Sequence, residues 1–199
     1  RVLMLERRNL IAVGGLIASG KSTVAKELAK ALEAHHLEAD RVRDELLEIG
    51  SGQQAHEAAW KDNLAPGVTK RIYAELLART RALRHAHGVI LLDGCFARRE
   101  QRLTARALAC DAGRPFTFVE CIVPRETLEA RLRERGRSAH VAEEAWLDLL
   151  TGLEARWEPV VEMPPGEHVR IDCTKPLGDS VEIVLESLDA RDEDPHDHR

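Results

Sequence analysis

The sequence predicts an α/β domain built on a mostly parallel sheet with helices on both faces. Three observations carry this. Apolar runs of strand length alternate with longer helical stretches, the pattern that places crossover helices between parallel strands. The first apolar run, residues 10–13, enters a glycine-rich turn that leads straight into a helix. The length, 199 residues, suits one domain with a full hydrophobic core.

Taken in order, residues 10–13 form the first strand and 21–34 the first helix. A short strand over 37–39 follows, then a helix over 41–49 that Asp40 is placed to cap. Residues 50–87 read as a helical insertion, broken at Pro66-Gly67 and containing no strand. The next strand, 89–92, ends in Asp93-Gly94. A helix over 97–111 and a strand over 117–123 come next. Pro124 opens a helix over 125–135, at a position where proline is tolerated. Gly136 is expected to break that helix, with a new one over 141–157. A strand over 169–171 and a helix over 178–188 complete the domain, taken as residues 1–189. Residues 190–199 read as a polar, flexible tail in which His196 and His198 are solvated.

Bulk composition narrows the function classes. Hydrophobic residues make up 44% and charged residues 32%, with a net charge of −5. That balance gives no global attraction to nucleic acid or to an anionic membrane. No apolar run approaches the ~18 residues of a membrane span. The 4 cysteines have neither Cys-x-x-Cys nor metal-ligand spacing, so they read as reduced thiols of a cytoplasmic protein. Position 1 is Arg, which leaves room for a fused upstream domain.

The strongest motif is Gly15-x-x-x-x-Gly20-Lys21-Ser22, entered from a strand and left by a helix. Glycines let successive backbone N–H groups curl inward around anionic oxygens, and the helix N-terminus adds a favourable dipole. Gly15, Ala18, Ser19, Gly20, Lys21, Ser22 and Thr23 are thus expected to hold the phosphates of ATP. Lys21 would reach the β- and γ-phosphates, and the Ser22 hydroxyl would meet Mg²⁺.

Nucleotide binding alone names no reaction. Water-activating ATPases place a carboxylate pair after the relevant strand; here Asp93 can serve the metal, but Gly94 follows it. No GTPase base-recognition motif occurs. Asp40 lies at the carboxyl end of the second strand, where a parallel sheet gathers its ligands. A carboxylate there can take the proton of an attacking hydroxyl. Arg43, one turn on, faces the same side and could clamp an anionic acceptor. Arg131, Arg133, Arg135 and Arg137 form an arginine-rich segment suited to closing over ATP, with Arg131 and Arg135 on one helix face.

That order of motifs resembles the P-loop small-molecule and polynucleotide kinases. The closest likeness is to ATP-binding kinase domains catalogued as AAA-like, some of them fused behind an aminoglycoside-phosphotransferase-like domain. Residues 39–43, 69–73, 89–99 and 131–140 carry the likeness, which spans about residues 9 to 188. It implies a nucleoside-kinase-like P-loop NTPase, a three-layer sandwich whose five-stranded parallel sheet has the order 2-3-1-4-5, with a lid over 131–141. It also implies Asp40 as general base, Arg43 on the acceptor's phosphate, and Arg131 and Arg135 on the ATP phosphates. Adenylyl-sulfate kinases share the Asp-x-x-Arg, so the motif does not fix the acceptor. Glu38-Ala39 stands where Ser or Gly often precedes the Asp.

The expected activity is transfer of the γ-phosphate of ATP to a hydroxyl of a small molecule. Lys21, Asp40, Arg131 and Arg135 would be catalytic, Arg43 acceptor-binding, and Ser22 and Asp93 the Mg²⁺ ligands. The alternatives are a polynucleotide 5′-hydroxyl kinase, disfavoured by the net charge, and a regulatory ATP-binding or ATPase module without an acceptor.

Overall fold

Every residue of β1 (Leu10–Gly15) is buried, as a central strand covered on both faces must be. The computed structural model describes residues 7–47, 66–139 and 143–193. Around β1 stand β2 (His35–Glu38), β3 (Ile90–Asp93), β4 (Phe116–Ile122) and β5 (His168–Asp172), all parallel, in the order β2-β3-β1-β4-β5. This is the expected order. The crossovers are α1 (Lys21–Ala31), α2 (Ala39–Leu46), α3 (Pro66–Ala82), α4 (Arg99–Asp111), α5 (Arg125–Ala139) and α6 (Glu143–Glu154), and α7 (Leu177–Glu193) follows the last strand.

Strand alternation divides the core into layers. Ile11, Val13, Leu91, Val119 and Ile171 face α1 and α7, against Val24, Leu28, Val184 and Leu188. Leu10, Ala12, Ile90, Leu92, Phe116 and Phe118 face α2, α3 and α4. A third cluster joins α5 and α6 through Leu128, Leu132, Trp146 and Leu150, and reaches Ile17 and Ala18 of the glycine loop.

Two arginines buried away from the loop are structural. Arg114 donates to the backbone carbonyls of Leu83, Arg84, Ala86, Gly88 and Arg8, gathering the amino end of the sheet. Arg102 is fully buried and meets the Glu162 carboxylate at 2.5 Å while donating to the carbonyls of Phe96 and Pro159.

Several boundaries depart from the sequence expectation. Asp40 does not cap its helix; Glu38 holds the N-cap position and Asp40 lies in the first turn. Gly136 does not break α5, which runs on to Ala139. Contacts between α5 and α6 outweigh the ~1 kcal/mol helical cost of glycine. The last helix continues to Glu193, well into the expected tail. Residues 48–49 of the expected helix over 41–49, 50–65 of the expected insertion, 140–141 of the expected lid, and both tail histidines lie outside the described residues. Among the described residues, no helix is long and apolar enough to cross a membrane.

The Arg102–Glu162 pair yields a stability prediction. Glu162→Ala should lower the unfolding free energy by about 3–5 kcal/mol, read from the urea midpoint, because it strands a buried guanidinium. Burial pushes the Glu162 carboxyl up, but its bonds to Arg102 and to backbone outweigh this and hold it below its ordinary value. The native state therefore binds the proton less readily than the unfolded chain. The pair's contribution is complete at neutral pH and fades as pH falls through the carboxylate range, below pH ~5. Glu162→Gln should flatten that part of the acid stability curve.

Candidate active site

The site is assembled at the carboxyl edge of the sheet, where β1 and β3 end side by side. Their ladder continues past the strands: Gly94 N–H donates to Val13 O at 3.2 Å, and Gly15 N–H to Cys95 O at 3.1 Å. The glycine loop is thereby tied to the turn after β3. Within it Ala18 has φ +62, a left-handed conformation uncommon for a residue with a side chain. Gly20, at φ +91, holds the N-cap position of α1, and the first turn of that helix carries no acidic residue. Nothing there competes with an anion for the exposed N–H groups. The buried Ser19 hydroxyl inside the loop has no hydrogen-bond partner among the described residues.

Lys21 is the first residue of α1. Burial pushes its ammonium down, but the surrounding Cys95, Asp40 and Asp93 raise it further, and the net shift is upward. Lys21 is therefore a fixed cation at neutral pH. Asp93 is 4% exposed, and its Oδ1 has no hydrogen-bond partner. Burial raises its carboxyl; the Ser22 hydroxyl and Lys21 lower it, with a net shift up. A buried, orphaned carboxylate oxygen beside a serine hydroxyl fits the oxygen donors that Mg²⁺ takes. The Cys95 thiol is also pushed up by burial and stays protonated.

On the α2 side, Asp40 is exposed while Arg43 is buried, and the two meet at 2.9 Å. Arg43 spends its other nitrogens on Asp44, at 2.9 and 2.8 Å. On the lid side, Arg131 donates to Ala18 O at 3.0 Å and to Cys173 O at 2.8 Å, bridging the glycine loop and the segment after β5. Arg135, one turn on, is exposed. Both arginines line a groove of about 300 Å³ with Gly20, Thr23, Cys173 and Lys175. Sequence reading missed the β5–α7 segment, whose only signal was its position after a strand. It also missed Tyr73, whose hydroxyl accepts the N–H of Phe96 at 2.7 Å.

The comparisons with known proteins fit this geometry. The model of a family described as "AAA domain" matches residues 10–156. The chain belongs to that family. Among curated proteins none matches the sequence. A gluconokinase from Sinorhizobium meliloti 1021 is similar at TM-score 0.65 and 20% identity, over 96% of this chain and 98% of that one. A sugar kinase from Janibacter sp. gives 0.60 and 18%, over 92% and 95%. An APS kinase from Mycobacterium tuberculosis, solved with AMPPNP and APS, gives 0.57 and 22%, over 92% and 98%. These likenesses show the fold, which is that of the P-loop kinases.

The turn after Asp93 yields a second prediction. A Cβ at Gly94 would lie 2.9 Å from the Tyr73 hydroxyl and 3.1 Å from the Ala39 Cβ. Gly94→Ala should cost about 1–3 kcal/mol of stability by overpacking, measured by denaturant unfolding.

Proposed function

We propose that this chain is an ATP-dependent phosphotransferase that moves the γ-phosphate of ATP to a hydroxyl of a small molecule. The observation that carries the reading is the placement of Asp40. It is an exposed carboxylate, near enough to the half-buried Lys21 ammonium to raise it, and steadied by Arg43 at 2.9 Å. A carboxylate in that position can accept the proton of an attacking hydroxyl. The closed position at Gly94 supports the same reading. The second carboxylate of a water-activating ATPase has no room to stand there.

In this mechanism the glycine loop cradles the triphosphate with its backbone N–H groups, and Lys21 holds the β- and γ-phosphates. Ser22 and Asp93 would hold Mg²⁺, which when bound neutralises charge on the phosphate oxygens. Asp40 removes the acceptor proton. Arg43, whose bonds run to Asp40 and Asp44, serves first as a positioning residue for the base, and one face of it remains a candidate anchor for an anionic acceptor. Arg131 and Arg135 supply positive charge over the groove. The similar structures named as gluconokinase, sugar kinase and APS kinase support a small, polar or anionic acceptor.

Asp40→Asn should reduce phosphoryl transfer by about 10²–10⁴-fold while ATP binding stays near the wild-type value. Lys21→Ala should lose both. The measurement is ADP release across a panel of sugars, sugar acids, nucleosides and sulfated nucleotides, paired with binding of a fluorescent ATP analogue. Full turnover in Asp40→Asn would remove the assignment of the base. Brisk ATP hydrolysis that no hydroxyl compound accelerates would replace the kinase with a regulatory ATPase. Tight, salt-dependent binding of single-stranded oligonucleotide would favour the polynucleotide acceptor.

A further inference from the structure

Next to the nucleotide loop, on the α1 face of the sheet, lies a group of donors that shares only Asp93 with the proposed Mg²⁺ site. His36 and Glu38 are two residues apart on the edge strand β2 and so point to the same face. The parallel register sets Glu38 beside Asp93 and His36 beside Leu91, a residue of the cluster that packs on α1. One donor atom from each of His36, Glu38 and Asp93 lies within 4.8 Å of the other two.

Two features show that the arrangement is unsatisfied as protein alone. The His36 Nε2 is shielded from solvent and has no hydrogen-bond partner among the described residues. The Asp93 Oδ1 is likewise orphaned, on a side chain 4% exposed. A buried polar atom without a partner costs about 1–3 kcal/mol, so two in one cluster call for a ligand. Two carboxylates side by side on adjacent strands repel, which adds to that demand and sets its sign as positive.

We infer that His36, Glu38 and Asp93 form a site for a first-row transition-metal dication, distinct from the Mg²⁺ that accompanies ATP. The donor set decides the class. Mg²⁺ and Ca²⁺ take oxygen ligands, whereas imidazole suits zinc, copper, iron and nickel; one imidazole with two carboxylates favours the latter group, for which Co²⁺ serves as a spectroscopic probe. Bonds of about 2.0–2.2 Å would bring the donors to roughly 3.5 Å apart. Small side-chain rotations accomplish that contraction. Three protein ligands leave further positions for water. The ion would clasp the edge strand to β3 and hold Asp93 in place beside Ser22. This inference stands apart from the phosphotransferase reading, because the binding requires neither nucleotide nor turnover.

The test is titration of Co²⁺ into the full chain without nucleotide, followed by visible d–d absorption and by the thermal unfolding midpoint. Wild type should take up one Co²⁺ that a millimolar excess of Mg²⁺ does not displace, and its midpoint should rise. His36→Ala and the near-isosteric Glu38→Gln should each weaken binding by more than the ~10–100-fold typical of an outer-shell change. Ser22→Ala, an outer-shell change through its hydrogen bond to Asp93, should weaken binding by no more than that. Should His36→Ala fail to fold, Glu38→Gln decides. Absence of Co²⁺ binding by wild type, equal binding in wild type and in the folded variants, or binding only when an ATP analogue is present would each overturn the site.

Discussion

The active-site edge depends on one pair of backbone hydrogen bonds that prolong the β1–β3 ladder beyond its strands. Gly94 N–H reaches back to Val13 O, and Gly15 N–H reaches across to Cys95 O. Parallel strands cannot share a tight turn, so their carboxyl ends meet only because the sheet register makes them do so. Here that register is Val13 against Asp93 and Glu38 against Asp93. From it follow the nearness of Lys21 to Asp93, of Asp40 to Lys21, and of the β2 donors to both. A slip of one residue would turn Asp93 from the α1 face to the face of α2 and α3, and the site would disperse.

The same edge concentrates unsatisfied polarity. Ser19 Oγ, Asp93 Oδ1 and His36 Nε2 are all buried without hydrogen-bond partners, and all belong to the glycine loop or to the adjoining ends of β2 and β3. At the opposite end of the sheet, Arg114 alone satisfies five carbonyls. The Asn9 amide nitrogen is a single orphan at that end, whereas three orphaned side chains gather around the glycine loop and the adjoining strand ends. Lys21 shows how this is held electrostatically. Burial lowers its affinity for the proton, yet Cys95, Asp40 and Asp93 more than offset this, and the group stays a cation beside the loop.

Much of this was legible in the sequence, and for local reasons. The Gly15–Ser22 pattern specifies its own backbone, since each glycine answers a conformational demand within a few residues. Strands β1 and β3 are continuous apolar runs because both faces are covered. What escaped was whatever long-range packing decides. Gly136 looks like a helix breaker, but α6 supplies enough buried contact to carry α5 through it. Asp40 looks like a cap until the register places Glu38 at that position. Nothing in their local sequence marked Arg102 and Arg114 as structural, yet they are spent on Glu162 and on carbonyls. His36 and Glu38 signalled nothing alone, because their partner Asp93 is more than fifty residues away and meets them only across the ladder.

The distinction between transferring a phosphoryl group to a hydroxyl and giving it to water rests on how β3 leaves the sheet. Sequence shows only that a glycine follows Asp93. The structure explains why that glycine cannot readily be a carboxylate: the Tyr73 hydroxyl, pinned by Phe96 N–H, and Ala39 at the start of α2 close on it from two sides. They come from α3 and α2, and α2 also carries Asp40. The packing that brings Asp40 toward the loop is the packing that fills the place of a water-orienting glutamate. In the proposed kinase reading, a single steric constraint both brings a base toward an incoming hydroxyl and denies the position of a hydrolytic carboxylate.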